Sequence, residues 1–385
     1  MAAAWLLAML LLVPLLWLSF EFTVAILAGQ SRVASASAPP FAVLMPAHNE
    51  VLGIAAVIAA VRVQLRPFDR LVVVADNCTD DTAAVARRAG AFVATRTNPA
   101  FRGKGFALDF GRDILSDDPP EIVIILDADC VPEPGALQKL AACAYQEEAA
   151  VQGLFLLTHA EEAGALVGIS TFAFRIRNHV RQRGLFGLSG AALLQGTGMA
   201  FPWALFKSAP LASANLVEDL QLGLELFLGG ERVIFHEDAA FTSSASSQSA
   251  TVTQRTRWEH GQIMTAAAYV PRLARTVLQR PSALALALDV AVPPLSLLGM
   301  AVISGLLGLL LFAWQSGDAT PLLGLVAGCL LFFVSLLCVW ARWGRASLPL
   351  GTLMKLPFYM VWKLPIYARL LVRPQRAWLR TSREP

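Results

Sequence analysis

Asp127 and Asp129 are the residues from which chemistry is most readily written. They stand two apart after Glu121–Leu126, a run made almost wholly of β-branched and leucine side chains. In an extended chain alternate residues project to one side, so both carboxylates can face one ligand. Such a pair suits Mg²⁺ or Mn²⁺, which bind through one or two carboxylates and complete their shells with substrate phosphates. A solvated turn, with Asp129 capping the next loop, explains the tripeptide equally well. Asp76, ahead of Asn77-Cys78-Thr79-Asp80-Asp81-Thr82, also has two readings. It receives N–H or O–H groups of a nucleotide, or it belongs to an ordinary helix N-cap. Lys104, in Arg102-Gly103-Lys104-Gly105, reaches a phosphate as a point charge where the glycines let the backbone approach, or lies in a solvated loop.

Farther along, Gln195–Phe201 is a glycine-punctuated turn entering an apolar segment. Glu218 and Asp219 open an amphipathic helix, where carboxylates are favourable with the macrodipole in any case. Beside a metal site, Asp219 is placed to act as a general base. Gln254, Arg257 and Trp258 occupy i, i+3 and i+4 of a helix and share one face. An amide, a guanidinium fork and a flat indole suit a diphosphate and a sugar ring. The alternative is a helix snorkelling at a membrane surface. No G-x-G-x-x-G follows the first strand and no G-K-S/T occurs, which demotes dinucleotide oxidoreductases and P-loop ATPases.

The elements that must position these residues follow from periodicity. Short apolar runs alternate with amphipathic ones from Phe41, the pattern of strands and crossover helices in a mostly parallel sheet. Strands are predicted at Phe41–Met45, Leu71–Ala75, Ala91–Thr95 and Glu121–Leu126, with helices at Val51–Gln64, Thr82–Ala89 and Gly105–Leu115. In open sheets ligands bind beyond the carboxyl ends of the strands. Three such ends are polar: Pro46-Ala47-His48-Asn49-Glu50, Asp76 onward, and Asp127-Ala128-Asp129. Thr242–Ser249 reads as a flexible polar loop, a gate in one reading.

With 56% hydrophobic residues in 385, the chain exceeds the globular norm. Ala2–Phe20, Ala291–Ala313 and Leu322–Trp340 each match a bilayer's hydrocarbon thickness. Leu348–Val372 carries Lys355, Lys363, Arg369 and three prolines, which fits a helix lying at the interface better than a span. Met1–Leu18 lacks the basic n-region of a signal peptide, so an uncleaved anchor is expected. Arg32, Arg272, Arg275, Arg280, Arg342 and Arg345 flank the spans on one side, which puts the N-terminus outside and the polar domain in the cytosol. The expected organisation is an anchor at 1–30, an α/β domain at 39–265, an amphipathic interfacial helix at 266–285, two spans within 286–341 and a basic interfacial segment at 342–385. A net charge of +3 implies no nucleic-acid partner and leaves the basic tail to anionic lipids. Five cysteines without C-x-x-C spacing suggest neither a disulfide framework nor a zinc site.

Taken in order, Asp76, Lys104, Asp127-Ala128-Asp129, Glu218-Asp219 and Gln254-x-x-Arg257-Trp258 resemble the membrane-integrated family 2 glycosyltransferases, the group of cellulose synthase, hyaluronan synthase and ceramide glucosyltransferase. The resemblance covers about Phe41 to Gln262 and implies a GT-A fold, an inverting displacement and a nucleotide-sugar donor, UDP before GDP. It implies that Asp76 contacts the base, with Pro46, Asn49, Glu50 and Lys104 also at the donor. Asp127 lies near ribose and diphosphate, and Asp129 ligates the metal together with Asp127. By the same resemblance Asp219 matches the general base, Gln254 and Arg257 match residues that hold the diphosphate, and Trp258 with Glu218 is expected to meet the acceptor. Three spans are too few for one copy to enclose a polysaccharide channel. The expected acceptor is therefore a lipid-linked saccharide or glycolipid, and the expected location a bacterial inner (plasma) membrane. A processive synthase built as a homo-oligomer or with partners is the alternative, and an inactive nucleotide-sensing scaffold the alternative of another class.

Overall fold

The computed structural model describes residues 1–29, 37–159, 164–213, 215, 217–245, 248–345, 347–353 and 355–372. The chain forms two compact units. One comprises Met1–Gly29, His159–Gly190 and Gln262–Gln375, and the other comprises Gln30–Thr158, Ala191–Gly261 and Arg376–Pro385. They are called the helical and the α/β unit below.

In chain order, α1 (Ala2–Leu27) is followed by β1 (Phe41–Ala47), α2 (Ile54–Arg62), β2 (Arg70–Asp76), α3 (Thr82–Arg88), β3 (Phe92–Arg96), α4 (Lys104–Leu115), β4 (Ile122–Ile125), β5 (Cys130–Pro132), α5 (Ala136–Glu147) and β6 (Ala150–Thr158). Next come α6 (Gly164–Arg175), a π-helical turn (Ile176–Arg181), α7 (Gln182–Ser189), β7 (Met199–Pro202), α8 (Trp203–Ser208), α9 (Glu218–Leu228), β8 (Val233–Ser244) and α10 (Gln248–Thr276). The chain continues through α11 (Ser282–Ala291), α12 (Leu295–Ser316), α13 (Thr320–Val339), a second π-helical turn (Trp340–Gly344), α14 (Leu350–Leu353), α15 (Leu356–Trp362) and α16 (Leu364–Val372).

The α/β unit is built on one eight-stranded sheet in the order β3-β2-β1-β4-β7-β6-β8-β5. The four strands β3, β2, β1 and β4 are parallel, as their uninterrupted apolar runs require when helices cover both faces. Val43, Leu44, Val73, Val74 and Ile122–Ile125 are buried to the last atom. Pro46 lies past the stretch of β1 that pairs with β4, so its missing N–H breaks no bond on that side. The second half is mixed. β7 runs antiparallel to β4 and β6, β8 runs parallel to β6, and β5 closes the edge antiparallel to β8. Thr242–Ser244 belong to β8 and Ser249 to α10, so the polar run expected as a loop is mostly regular structure; residues 246–247 lie outside the described set.

The helical unit contains three helices long and apolar enough to cross a membrane, Ala2–Leu27, Leu295–Ser316 and Thr320–Gly344. Among the described residues of 348–372, where one interfacial helix was expected, there are three short helices, because Pro357 and Pro365 each open a new one. The segment expected as a separate helix over 266–285 is divided between α10, which continues to Thr276, and α11, which starts at Ser282. Residues 159–190, expected inside the α/β domain, belong to the helical unit. Ile169, Phe172, Ile176 and Val180 of that insertion are buried in one cluster with Leu15, Leu18 and Phe22 of α1. A Cβ at Gly184 would come within 2.3 Å of the Glu21 carbonyl, so only glycine lets α7 lie this close to α1.

Within this apolar cluster sits an ionic trio. Arg181 donates to the Asp289 carboxylate at 2.6 Å and to the Asp289 carbonyl at 2.7 Å, and lies 3.5 Å from the Glu21 carboxylate. All three side chains are buried. Arg183 donates to the Ala25 carbonyl at 2.8 Å and to the Ala28 carbonyl, satisfying the last turn of α1.

Candidate functional site

The site is assembled in the α/β unit at the carboxyl ends of β1, β2 and β4. After β4 the chain does not stay extended: the Cys130 N–H bonds to the Asp127 carbonyl at 3.0 Å, closing a turn over Ala128 and Asp129. The two carboxylates are thus brought together by a turn, not by alternation along a strand. Asp129 is fixed by Ser243, whose hydroxyl donates to its carbonyl at 2.9 Å and to its carboxylate at 3.1 Å.

Lys104, at the N-terminus of α4, pairs with the Asp127 carboxylate and donates to the Gly196 carbonyl at 2.6 Å. It is therefore a helix residue and not part of a solvated loop, and its ammonium is held among the site's carboxylates. Gly196 adopts φ +94, and a Cβ there would sit 3.1 Å from Asp219 Oδ2 and 3.6 Å from Lys104 Nζ. The Gln195–Gly198 turn therefore brings Asp219 at the start of α9 to the same ammonium. Thr197 locks the turn: its buried hydroxyl accepts the Asp127 N–H at 3.0 Å, and Gln152 donates to its carbonyl at 2.9 Å. Gln152 also accepts the Gln195 N–H at 2.8 Å.

The charges are strongly interdependent. Burial pushes the Asp127 carboxyl up, Lys104 opposes this, and the nearby Asp129 and Asp219 carboxylates add to it. Burial likewise pushes Glu218 up to about 7, helped by Asp219 and opposed by Lys104 and Arg257. Burial works against the Lys104 ammonium, but Asp127, Glu218 and Asp219 outweigh it and raise its pKa. Four carboxylates thus converge with one lysine and one arginine, an acidic surplus that a cation would relieve. Among the described residues no three His, Cys, Asp or Glu side chains are grouped to hold a metal alone. The donor set nevertheless fits a hard cation, which needs one or two carboxylates and takes its other ligands from water and phosphate.

Arg257 and Trp258 are half-buried on α10. The Arg257 Nε is buried without a hydrogen-bond partner among the described residues. The guanidinium of Arg255 lies over the Trp258 ring at 5.4 Å. The Gln254 side chain falls outside the described set, as does Arg32.

At the ends of β1 and β2 the expected donor residues carry structural bonds. Asp76 is buried and accepts Arg96 at 2.5 Å and the Asn77 amide at 3.0 Å. Asn49, at φ 56, donates to the Thr79 hydroxyl at 3.0 Å and accepts the Thr79 N–H at 2.7 Å. The Glu50 N–H donates to the Thr82 hydroxyl at 2.7 Å, and that hydroxyl donates to Asp80 at 2.5 Å. Asn49 and Glu50 thereby join the β1–α2 loop to the β2–α3 loop. Sequence reasoning assigned no role to Arg96, Gln152, Thr197 or Ser243. The turn holding Thr197 and the polar run holding Ser243 were visible in the sequence, but the individual contacts were not, because their partners lie far along the chain.

Comparison with known proteins was consistent with this geometry. Residues 39–261 match the family model described as glycosyltransferase-like family 2. The probable glycosyltransferase YdaM of Bacillus subtilis is 28% identical over 238 residues, covering 58% of this chain and 55% of that protein. An uncharacterized glycosyltransferase of Mycobacterium tuberculosis is 40% identical over 100 residues, covering 26% of this chain and 41% of that protein. The chain thus spans about half or less of the length of these curated relatives. The structure of the mannosyltransferase PcManGT from Pyrobaculum calidifontis, in complex with GDP-Man and Mn²⁺, superposes with a TM-score of 0.57 at 17% identity. That match covers 94% of this chain and 99% of the other, a likeness of GT-A fold.

Proposed function

We propose, from the premise that this chain belongs to the glycosyltransferase-like family 2, that it is an inverting, metal-dependent transferase moving a sugar from a nucleotide diphosphate to a lipid-linked saccharide or glycolipid. The observation that carries this reading is the convergence of Asp127, Asp219 and Glu218 on Lys104 beside the Gly196 turn, with Asp129 and Arg257 at its edges. Asp219 takes the proton of the acceptor hydroxyl as that oxygen attacks the anomeric carbon, and the nucleotide diphosphate leaves from the opposite face. Arg257 and Lys104 oppose the negative charge that develops on the leaving group. Asp129, with Asp127, would hold Mg²⁺ or Mn²⁺, which when bound adds charge neutralisation at the diphosphate. Trp258 offers an apolar face to a sugar ring.

The base-contact role of Asp76 is retained in a narrower form, because its carboxylate already holds Arg96. UDP-sugars are the first donors to test and GDP-sugars the second, since GDP-Man is the donor named for the Pyrobaculum enzyme. The three long apolar helices support a membrane location, with the α/β unit on the cytosolic face. The test is release of nucleotide diphosphate from a panel of labelled donors by membranes holding the full chain, with Mg²⁺ or Mn²⁺ against EDTA, followed by lipid extraction of the product. D219N should lose about 10²–10⁴-fold in turnover while retaining donor binding. Full activity in EDTA, or near-normal turnover in D219N, contradicts the assignment.

A further inference from the structure

The carboxyl ends of β2 and β3 share a polar network that takes no part in the transfer step. Asp76 and Arg96 are register partners on these parallel strands, each the last residue of its strand. Arg96 Nη1 donates to Asp76 Oδ1 at 2.5 Å, and Asn77 Nδ2 donates to the same oxygen at 3.0 Å. Both donors are held from elsewhere as well. Arg96 Nη1 also donates to the Phe101 carbonyl at 2.9 Å, and the guanidinium lies 5.9 Å from the centre of the Phe106 ring. The Asn77 amide is oriented from its other side, where its Oδ1 accepts the Asn98 N–H at 2.8 Å. A carboxylate oxygen offers about two lone-pair sites, so Oδ1 of Asp76 is filled. Oδ2 accepts no hydrogen bond from the described residues and keeps access to water. This one oxygen is what Asp76 presents to a ligand. The Arg96 and Asp76 side chains are only 12% and 8% exposed, so an N–H brought here without an acceptor costs about one hydrogen bond, roughly tenfold in affinity.

A single acceptor at this place discriminates between nucleobases by the number of donors they carry. Uracil has one N–H on its pairing edge, between two carbonyls, and Oδ2 alone satisfies it. Guanine has N1–H and N2–H₂ side by side, a pair that a carboxylate meets with both of its oxygens. With Oδ1 filled, one of the two is left without an acceptor. We propose that Arg96 and Asn77 set the base of the donor: by occupying Oδ1 of Asp76 they leave one acceptor, which takes uracil and disfavours guanine. Arg96 is thus a positioning residue that acts through Asp76. This inference rests on the reading of the chain as a nucleotide-sugar transferase with Asp76 at the base, and adds to it which base is chosen and by what contact.

The experiment is titration calorimetry of the full chain in neutral detergent with Mn²⁺, using UDP, GDP and inosine diphosphate. Inosine diphosphate keeps the purine bulk of GDP but lacks N2–H₂, so comparing these two removes ring size from the question. Wild type should bind UDP tighter than GDP by about tenfold or more, and inosine diphosphate tighter than GDP by about tenfold. R96M takes one donor from Oδ1, keeps much of the side-chain length, and should bring GDP to within about twofold of inosine diphosphate. N77G takes away the other donor at a position whose φ of 50 glycine adopts without strain, and should shift the ratio the same way. R96K keeps a donor for Oδ1 and should retain the wild-type ratio. Thermal unfolding identifies the variants that stay folded, and the comparison of GDP with inosine diphosphate in wild type needs no variant. A merely structural role for Arg96 would weaken all three nucleotides together and leave their ratios fixed. Ratios unmoved in folded R96M and N77G overturn the proposal, as does wild type binding GDP as tightly as UDP or inosine diphosphate. If wild type binds none of the three, the donor reading fails and takes this inference with it, whereas UDP binding with unmoved ratios defeats this inference alone.

Discussion

Replacing Lys104 by Met leaves Asp127, Glu218 and Asp219 without their shared ammonium while keeping most of the side-chain volume. Two unit charges about 4 Å apart at an effective dielectric of about 20 interact by roughly 4 kcal/mol, and one pKa unit corresponds to about 1.4 kcal/mol. Loss of the cation could therefore raise a contacting carboxyl by up to about three units. The Lys104 and Asp127 side chains are 16% and 33% exposed, so water recovers part of this, and a rise of about one to two units is expected. Glu218 already stands at about 7, so in K104M it becomes largely protonated at neutral pH, and Asp127, already pushed up by burial, is pushed further in the same direction. Each unit lowers the ionised fraction about tenfold. Nucleotide diphosphate release at pH 7 should fall by about 10²-fold, the rate should recover as pH rises, and the acidic limb of the pH–rate profile should move up by at least one unit. K104R should keep the limb near its wild-type position. The assay is a pH–rate profile on membranes, with thermal unfolding checked in parallel. An unshifted acidic limb in a folded K104M would refute the reasoning, however low its rate, because it would mean that Lys104 does not set the ionisation of these carboxyls.

R181M should destabilise the protein by about 3–5 kcal/mol, because Glu21 and Asp289 then share a buried place with no cation, and adding E21Q and D289N should recover much of the loss in thermal unfolding. G196A forces an L-residue to φ +94 and aims a methyl at Asp219, so it should cost about 1–3 kcal/mol by denaturant titration and lower turnover more than tenfold; wild-type turnover would show that the turn does not position Asp219. Glu218 holds its proton up to about pH 7 in the folded chain against 4.5 as its ordinary value. Its contribution to stability is therefore complete below about pH 4.5 and declines as pH rises to 7, by roughly 3 kcal/mol at most. E218Q should flatten the difference between melts at pH 5 and pH 8; an unchanged difference would assign it to other groups.

The first half of the sheet was legible because each parallel strand is a closed apolar run ended by turn residues, so β1 to β4 and the helices between them lie within a few residues of expectation. The second half was not. β7 is four residues long, and β6 pairs with β8 through a register shift between Gly153 and Leu154 that blurs the period. Helices α6 and α7 were hidden for a different reason. Arg175, Arg177, His179, Arg181 and Arg183 alternate as a strand would, and the π-helical turn removes the regular helical spacing there. At the site, residue types pointed to Asp127, Asp129 and Asp219, since their chemistry is carried in the side chain itself. That Lys104 lies between Asp127 and Asp219, that Asp76 belongs to Arg96 and that Asn49 joins two loops depended on contacts between distant segments, which no local spacing encodes.

The buried trio of Glu21, Arg181 and Asp289 also imposes an order on biogenesis. Translation delivers Glu21 first, on a helix otherwise apolar, and the whole first half of the sheet must be synthesised before Arg181 exists. During that interval α1 carries a carboxylate that cannot be stabilised by its final neighbours, and Asp289 arrives later still. Helix α1 therefore cannot complete its final packing around Glu21 until the insertion at residues 164–189 is made. A chain that ends before that point would hold a carboxylate on α1 with neither of its final neighbours present.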